Sequence, residues 1–287
     1  MILRLSVIAL LIFLSSFQLK SRISPADYVG PENGYLILCG GGNNTLSIQK
    51  LIQLAGKKSP NILIIPTAND DGSQTEDNYK KLKEPFIQQG VTSIEILHTR
   101  NRDTANSEHF LNRIKKADAV WISGGRQWRL ADAYLKTRVV NELYFLLQRG
   151  GVIGGSSAGA TILGSFLVRG DTKTNTIMEG DHTEGFGFLK NSAIDQHVLQ
   201  RNRHFDLLEI HNNHPELLCV GLDESTAIVV HQNTMEVIGK HYVTIYDGTI
   251  WRRETNEIIL LPPLTGKFYF LREGDKYNLL KRRVIIP

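Results

Sequence analysis

The sequence predicts an α/β fold: a doubly wound, mostly parallel sheet with helices on both faces, followed by antiparallel strands toward the C-terminus. Three observations carry this. From residue 35 to about 154, apolar runs of strand length alternate with longer segments of helical period. Most of those runs are apolar at consecutive positions, as strands covered on both faces must be. From about residue 217 the helical segments give way to closely spaced strand-like runs.

In order, residues 35–39, 61–66, 93–97, 119–123 and 151–154 read as strands. Between them, 46–55, 74–89, 107–116 and 127–148 read as helices, the last broken near Thr137. Open sheets of this kind place their sites at the carboxyl ends of the strands, so the loops after Cys39, Pro66, Ser123 and Gly154 are the ones to inspect. Further on, LLCVGLD, TAIVVHQ, TMEVIGK and HYVTIYDG read as antiparallel strands, with Asp247-Gly248 as a turn. The last forty residues bring short apolar runs and turns without a chemical signal.

Residues 1–17 (MILRLSVIALLIFLSSF) place Arg4 before an apolar run too short for a confident membrane span, the layout of a secretory signal. The expected organisation is a signal peptide at 1–22, a linker at 23–34, a catalytic domain at 35–245 and a β-rich extension at 246–287. The location that follows is secreted or periplasmic, with membrane contact only where the leader stays uncleaved. No small-x-small cleavage pattern follows the run.

The 287 residues carry 33 basic and 29 acidic side chains, a formal net charge of +4. Loss of the leader removes Arg4, Lys20 and Arg22 and no acid, leaving +1. The charges are interspersed, so no nucleic-acid stripe is present and a peptide or small-molecule substrate is favoured. A homodimer is compatible with this reading. Cys39 and Cys219 each lie inside an apolar run and are expected to be free, inert thiols.

The segment RGGVIGGSSAGATILG puts Ser157 between Gly155 and Gly159, after a strand and before a helical pattern. A nucleophile elbow needs small neighbours to close its turn and expose the serine oxygen; Ser157 has both glycines and Ser156 does not. Ala158, next in the chain at a helix start, would offer its N–H to an oxyanion. The same turn also suits plain packing or a phosphate cradle. Among nine histidines, His197 stands out because a short apolar run ends at it in a polar cluster, Asp195-Gln196-His197. A half-exposed structural histidine would fit as well. His211 and His214 lack further clustered ligands, so a solvated helix end is the better reading, and no metal or cofactor is expected. Asp223 and Glu224 place two carboxylates between apolar strands, either as an orienting group for a histidine or as a solvated turn.

Taken together, four motifs resemble the cyanophycinases and their relatives in peptidase family S51, which include aspartyl dipeptidases. They are Ile122-Ser123-Gly124-Gly125-Arg126-Gln127, similar to the family's Gly-Gly-Asp-Gln turn; Gly155-Ser156-Ser157-Ala158-Gly159-Ala160; the run from Asp195-Gln196-His197 to Arg201-Asn202-Arg203; and Gly221-Leu222-Asp223-Glu224-Ser225-Thr226-Ala227. The resemblance spans roughly residues 35 to 245. It implies a fold like class I glutamine amidotransferases, a Ser157–His197–Glu224 triad, and an oxyanion site of Ala158 with the Gly124-Gly125 turn. It further implies a serine peptidase that cuts an aspartyl bond, including a β-linked one, through an acyl-enzyme, with Gln127, Asp195, Gln196, Arg201 and Arg203 holding substrate. An aspartyl dipeptidase-like exopeptidase and a catalytically reduced peptide binder are the alternatives. Two positions depart from the family pattern. Arg126 stands where the turn has aspartate, and Asp206 where an arginine is expected three residues after Arg203. The two are expected to face each other as an exchanged charge pair, to act singly, with Arg126 selecting an acidic group, or to be surface substitutions of no consequence.

Overall fold

The computed structural model describes residues 28–254, 257–261 and 267–286. The expected leader at 1–22 lies outside the described residues. The chain runs β1 (Tyr35–Cys39), α1 (Thr45–Leu54), β2 (Asn61–Ile65), α2 (Glu76–Ile87), β3 (Ser93–Ile96), α3 (Arg102–Asn106), α4 (Glu108–Lys116), β4 (Ala119–Ile122), α5 (Gln127–Tyr134) and α6 (Arg138–Gln148). It continues through β5 (Val152–Ser156), α7 (Ala158–Thr161), β6 (Gly164–Phe166), β7 (Leu189–Gln196), α8 (Leu207–Asn213), β8 (Leu218–Leu222), β9 (Thr226–His231), β10 (Thr234–Gly239) and β11 (Val243–Tyr246). Last come β12 (Ile250–Glu254), β13 (Glu257–Leu261), β14 (Tyr269–Leu271), β15 (Lys276–Asn278) and β16 (Arg283–Ile285).

Two sheets organise these strands. The larger has the order β16-β15-β10-β9-β1-β5-β4-β2-β3, and the smaller β14-β11-β8-β7-β6. In the larger, β1, β5, β4, β2 and β3 are mutually parallel, as the alternation of strands and helices requires. Period-two alternation along β1 sends Leu36 and Leu38 to one core and Ile37 and Cys39 to the other, which is why this strand is apolar at consecutive positions. The predicted helix over 127–148 is two helices. Lys136 turns into the left-handed region at φ 58°, and the Thr137 hydroxyl accepts from the Val139 N–H to start α6.

The C-terminal half departs from the expected run of antiparallel strands in one respect. β9 and β10 form an antiparallel hairpin, but β8 pairs in parallel with β7 in the other sheet and meets β11 antiparallel. Periodicity reports that a strand is half or fully buried; it carries no information on which neighbour it pairs with. The segment after residue 245 closes both sheets, since β14 extends the smaller through β11 and β15 extends the larger through β10. Both cysteines are buried free thiols. Among the described residues no helix is long and apolar enough to cross a membrane.

Candidate active site

Four strands deliver their carboxyl ends to one place. β5 ends at Ser156, so Ser157 follows directly; β1 ends in Gly40-Gly41-Gly42; β7 ends at Gln196 before His197; and β8 ends at Leu222 before Asp223-Glu224. Ser157 has φ 54° and ψ −118°, a strained backbone for a residue with a side chain. The strain is held by packing around the elbow. A methyl on Gly155 would lie 2.1 Å from the Gly159 carbonyl oxygen, and one on Gly159 would lie 2.1 Å from that of Ile122. Both glycines are therefore required for the turn to seat between β4 and α7.

Ser157 Oγ lies 2.8 Å from His197 Nε2, and His197 Nδ1 lies 2.6 Å from Glu224 Oε1. With the carboxylate accepting at Nδ1, that nitrogen carries the proton and Nε2 accepts from the serine hydroxyl. Burial pushes the His197 pKa below its ordinary value; the Glu224 bond opposes this, and the charges of Arg201 and Arg203 reinforce it. The imidazole is thus kept neutral and able to take a proton near neutral pH.

Three consecutive carbonyls, from the last residue of β1 onward, pin the three strand ends. Ser157 N–H donates to Cys39 O at 2.9 Å, His197 N–H to Gly40 O at 3.1 Å, and Ser225 N–H to Gly41 O at 2.8 Å. Like Ser157, His197 and Ser225 have positive φ, both 56°. The close approach explains Gly41, at φ 113°: a methyl there would lie 2.2 Å from His197 Cε1. Asp223 supports the histidine turn from below, its Oδ1 accepting from Leu199 N–H at 3.0 Å and Gln200 N–H at 2.9 Å.

On the other flank of the serine, a methyl on Gly124 would lie 3.2 Å from Ser157 Cβ and 3.7 Å from its Oγ, so the Gly124-Gly125 turn sits against Ser157. Ala158 is fully buried at the start of α7. Arg201 is exposed and Arg203 half-buried, and both are near enough to His197 to lower its pKa.

The other residues that sequence motifs marked for substrate point inward. Gln127 is buried, donating from Nε2 to Val168 O at 2.8 Å, and Gln196 is buried, its Oε1 accepting from Thr161 Oγ1 at 2.7 Å. Asp195 is wholly buried with both oxygens held by Arg169, Oδ1 by Nε at 2.7 Å and Oδ2 by Nη2 at 2.8 Å. The same Nη2 reaches Asp206 Oδ2 at 2.6 Å. The exchanged Arg126–Asp206 pair is therefore not the arrangement seen. Asp206 is held by Arg169, and Arg126 Nη2 donates to Asp171 O at 2.6 Å. The departure at Asp206 has a local reason: it supplies a second carboxylate to a buried guanidinium. No sequence signal singled out Arg169, which stands in an irregular loop. The Gly40-Gly41-Gly42 run after a predicted strand was visible, but its contact with the imidazole was not.

Other sequence features fall away from this centre. His211 and His214 end α8, and His214 Nε2 bonds Glu179 Oε1 at 3.1 Å. Among the described residues no group of three or more His, Cys, Asp or Glu is arranged to hold a metal ion.

Comparison with known proteins agrees on one family. The model described as "Peptidase family S51" matches residues 36–238. A cyanophycinase from Geminocystis herdmanii is 29% identical over 255 residues, covering 85% of this chain and 93% of that protein. A cyanophycinase from Trichormus variabilis is 29% identical over 266 residues, covering 87% of each. Among solved structures, a peptidase from an acI-B1 Actinobacterium matches with a TM-score of 0.64 and 25% identity over 87% of this chain and 98% of its own. A protein described as a putative peptidase E from Listeria monocytogenes matches with a TM-score of 0.53 at 13% identity, covering 72% of this chain and 99% of its own, and so supports the fold alone.

Proposed function

The chain belongs to peptidase family S51 and is a serine peptidase, and from that premise we propose that it hydrolyses an aspartyl peptide bond, β-linked bonds included, with Ser157 as nucleophile, His197 as general base and Glu224 as its orienting carboxylate. The observation that carries this reading is the unbroken relay of 2.8 Å and 2.6 Å hydrogen bonds at the ends of three strands.

In this mechanism His197 Nε2 takes the Ser157 proton as Oγ attacks the amide carbon. The oxyanion forms between the Ala158 N–H, next in the chain at the start of α7, and the Gly124-Gly125 turn, which packs against Ser157. His197, now protonated and stabilised by Glu224, gives its proton to the leaving nitrogen, which breaks the C–N bond and leaves an acyl-enzyme. Water then attacks the ester with His197 again as base, releasing the acid and restoring Ser157. Arg201 and Arg203, which follow His197 closely enough for their charges to act on it, would hold the aspartyl carboxylate. Asp195 and Gln196 act one step back, fixing the end of β7 on which His197 stands. Action outside the cytoplasm is part of the same proposal and rests on the leader-like residues 1–17.

The alternative of an aspartyl dipeptidase-like exopeptidase uses the same centre and differs only in substrate length. Mass spectrometry of products from β-aspartyl-arginine, β-aspartyl-lysine, isoaspartyl peptides, α-aspartyl dipeptides and cyanophycin separates the two. Ser157→Ala should abolish both cleavage and labelling by a fluorophosphonate. Near-normal turnover by Ser157→Ala on any substrate of this panel would end the assignment.

A further inference from the structure

Three arginines gather behind the turn that sits against the nucleophile. Arg126 N–H donates to Ala68 O at 2.8 Å, Arg129 Nη1 donates to the same oxygen at 3.1 Å, and Arg100 Nη2 donates to Asn69 O. The guanidiniums of Arg100 and Arg129 therefore sit on one two-residue stretch of backbone, and that of Arg126, which donates to Asp171 O at 2.6 Å, is near enough for its charge to act on Arg129. Arg126 is two residues beyond Gly124, on which an added methyl would lie 3.2 Å from Ser157 Cβ. All three side chains are partly exposed, so their charges remain reachable from solvent.

The cluster is poorly compensated by the protein itself. The Nε atoms of Arg100, Arg126 and Arg129 are all buried and find no hydrogen-bond partner among the described residues. These unpaired Nε–H groups are shielded from solvent and add to the cost of the local positive charge, which an anion would relieve from the exposed edges of the guanidiniums. The carboxylates that act on Arg129 are Asp71, paired with Arg100 but 81% exposed, and Asp70, whose Oδ1 is engaged by Ser73 N–H and Oγ at 2.9 Å each; Arg100 also lines a surface cavity with Asp132, Asp181 and Glu184. Mutual repulsion adds to this. Burial is the main cause of a lowered Arg129 pKa, with Arg100 and Arg126 adding to it against Asp70 and Asp71.

We propose that Arg100, Arg126 and Arg129 form a subsite for an anionic group beside the Gly124-Gly125 turn, so that the residue joined to the aspartyl group in this protein's substrate is acidic. This deepens the aspartyl-peptidase reading and rests on it. Arg201 and Arg203 take one carboxylate on the His197 flank, and the arginine cluster takes the second on the Gly124 flank. A basic residue at the second position would meet like charge, and a neutral one would leave the guanidiniums uncompensated.

Calorimetric titration of Ser157→Ala protein with β-aspartyl-glutamate, β-aspartyl-alanine and β-aspartyl-arginine tests the subsite without turnover. The expected order of affinity is glutamate, then alanine, then arginine, with about tenfold or more between the ends of the series. Adding Arg129→Gln should weaken the glutamate peptide by about tenfold, and Arg126→Asp should invert the order so that the arginine peptide binds best. Melting temperatures establish that each double variant is folded, and Arg129→Gln keeps the test decisive if Arg126→Asp is not. Equal binding of the three peptides, or preference for arginine, overturns the acidic subsite while leaving the aspartyl reading in place. Arg201→Gln tests that reading separately, since it should weaken all three peptides alike; no binding of any peptide removes both.

Discussion

The carbonyl ladder after β1 makes Gly41 a residue through which catalysis can be altered without touching the triad. A Gly41→Ala methyl would lie 2.2 Å from His197 Cε1, 2.8 Å from Nδ1 and 3.0 Å from Nε2. Carbon atoms in contact prefer about 3.5–4.0 Å, so the ring has to retreat by roughly 1 Å or more. That displacement is comparable with the tolerance of the 2.8 Å and 2.6 Å bonds on its two nitrogens, and both relays fail together. A misplacement of about 1 Å costs on the order of a hundredfold in rate, the expected fall in kcat/KM. Alanine at φ 113° adds backbone strain of about 1–3 kcal/mol, which lowers the melting temperature by roughly 2–10 °C in a chain of this size. Gly90→Ala is the control. It has φ 82° with nothing within 4 Å of the added methyl, so it carries a similar backbone cost and no contact with the imidazole. Steady-state kinetics on a cleaved aspartyl peptide, fluorophosphonate labelling rates and thermal melts of the three proteins decide the matter. A Gly41→Ala enzyme within about threefold of wild type, or a Gly90→Ala enzyme equally impaired, would falsify the role given to the ladder.

Three other expectations follow from the same geometry. The pH profile of kcat/KM should have its acid limb below the ordinary histidine value, because burial, Arg201 and Arg203 disfavour the charged imidazole and only the neutral form can act as base. Arg201→Gln or Arg203→Gln should move that limb to higher pH, and an unmoved limb in both variants refutes the electrostatic link. The same depressed pKa means the unfolded chain binds the extra proton first, so stability is lost as pH falls from about 6.5 through the folded pKa. Arg169→Leu leaves the buried Asp195 carboxylate without its partner and should cost about 3–5 kcal/mol, read as a drop on the order of 10 °C in melting temperature. A stable Arg169→Leu protein with only a raised KM would return Asp195 to the substrate site. Both thiols should react with a thiol reagent only on unfolding, since burial raises the Cys39 pKa and pushes Cys219 up to about 12. Rapid modification of the native protein, followed by the optical change of the reagent, contradicts this.

The parts of this protein legible in its sequence are those set by local patterns. Alternating apolar runs and helical periods reported the parallel half of the large sheet, because burial on both faces leaves a mark within a single strand. The elbow around Ser157 was legible because a positive-φ serine between close-packed elements needs glycine on both sides. Pairing partners were not legible: β8 looks like its antiparallel neighbours, and only the packing of β7 against it makes that contact parallel. Asp195 illustrates the same limit at the site. Its motif marked it for substrate, and its burial and partner depend on Arg169, 26 residues away in an irregular loop.

What the sequence by itself determined is the order of elements and the positions of Ser157, His197 and Glu224 to which the family motifs point, since each lies in a short segment whose residue types constrain its own backbone. Only the tertiary structure decided that Cys39, Gly40 and Gly41 pin the segments of Ser157, His197 and Ser225, that Arg169 rather than Arg126 holds Asp206, and that Arg100 and Arg129 share the Ala68-Asn69 backbone. These are contacts between segments far apart in the chain. Their partners are selected by the shape and charge of the packed fold, which no local pattern encodes.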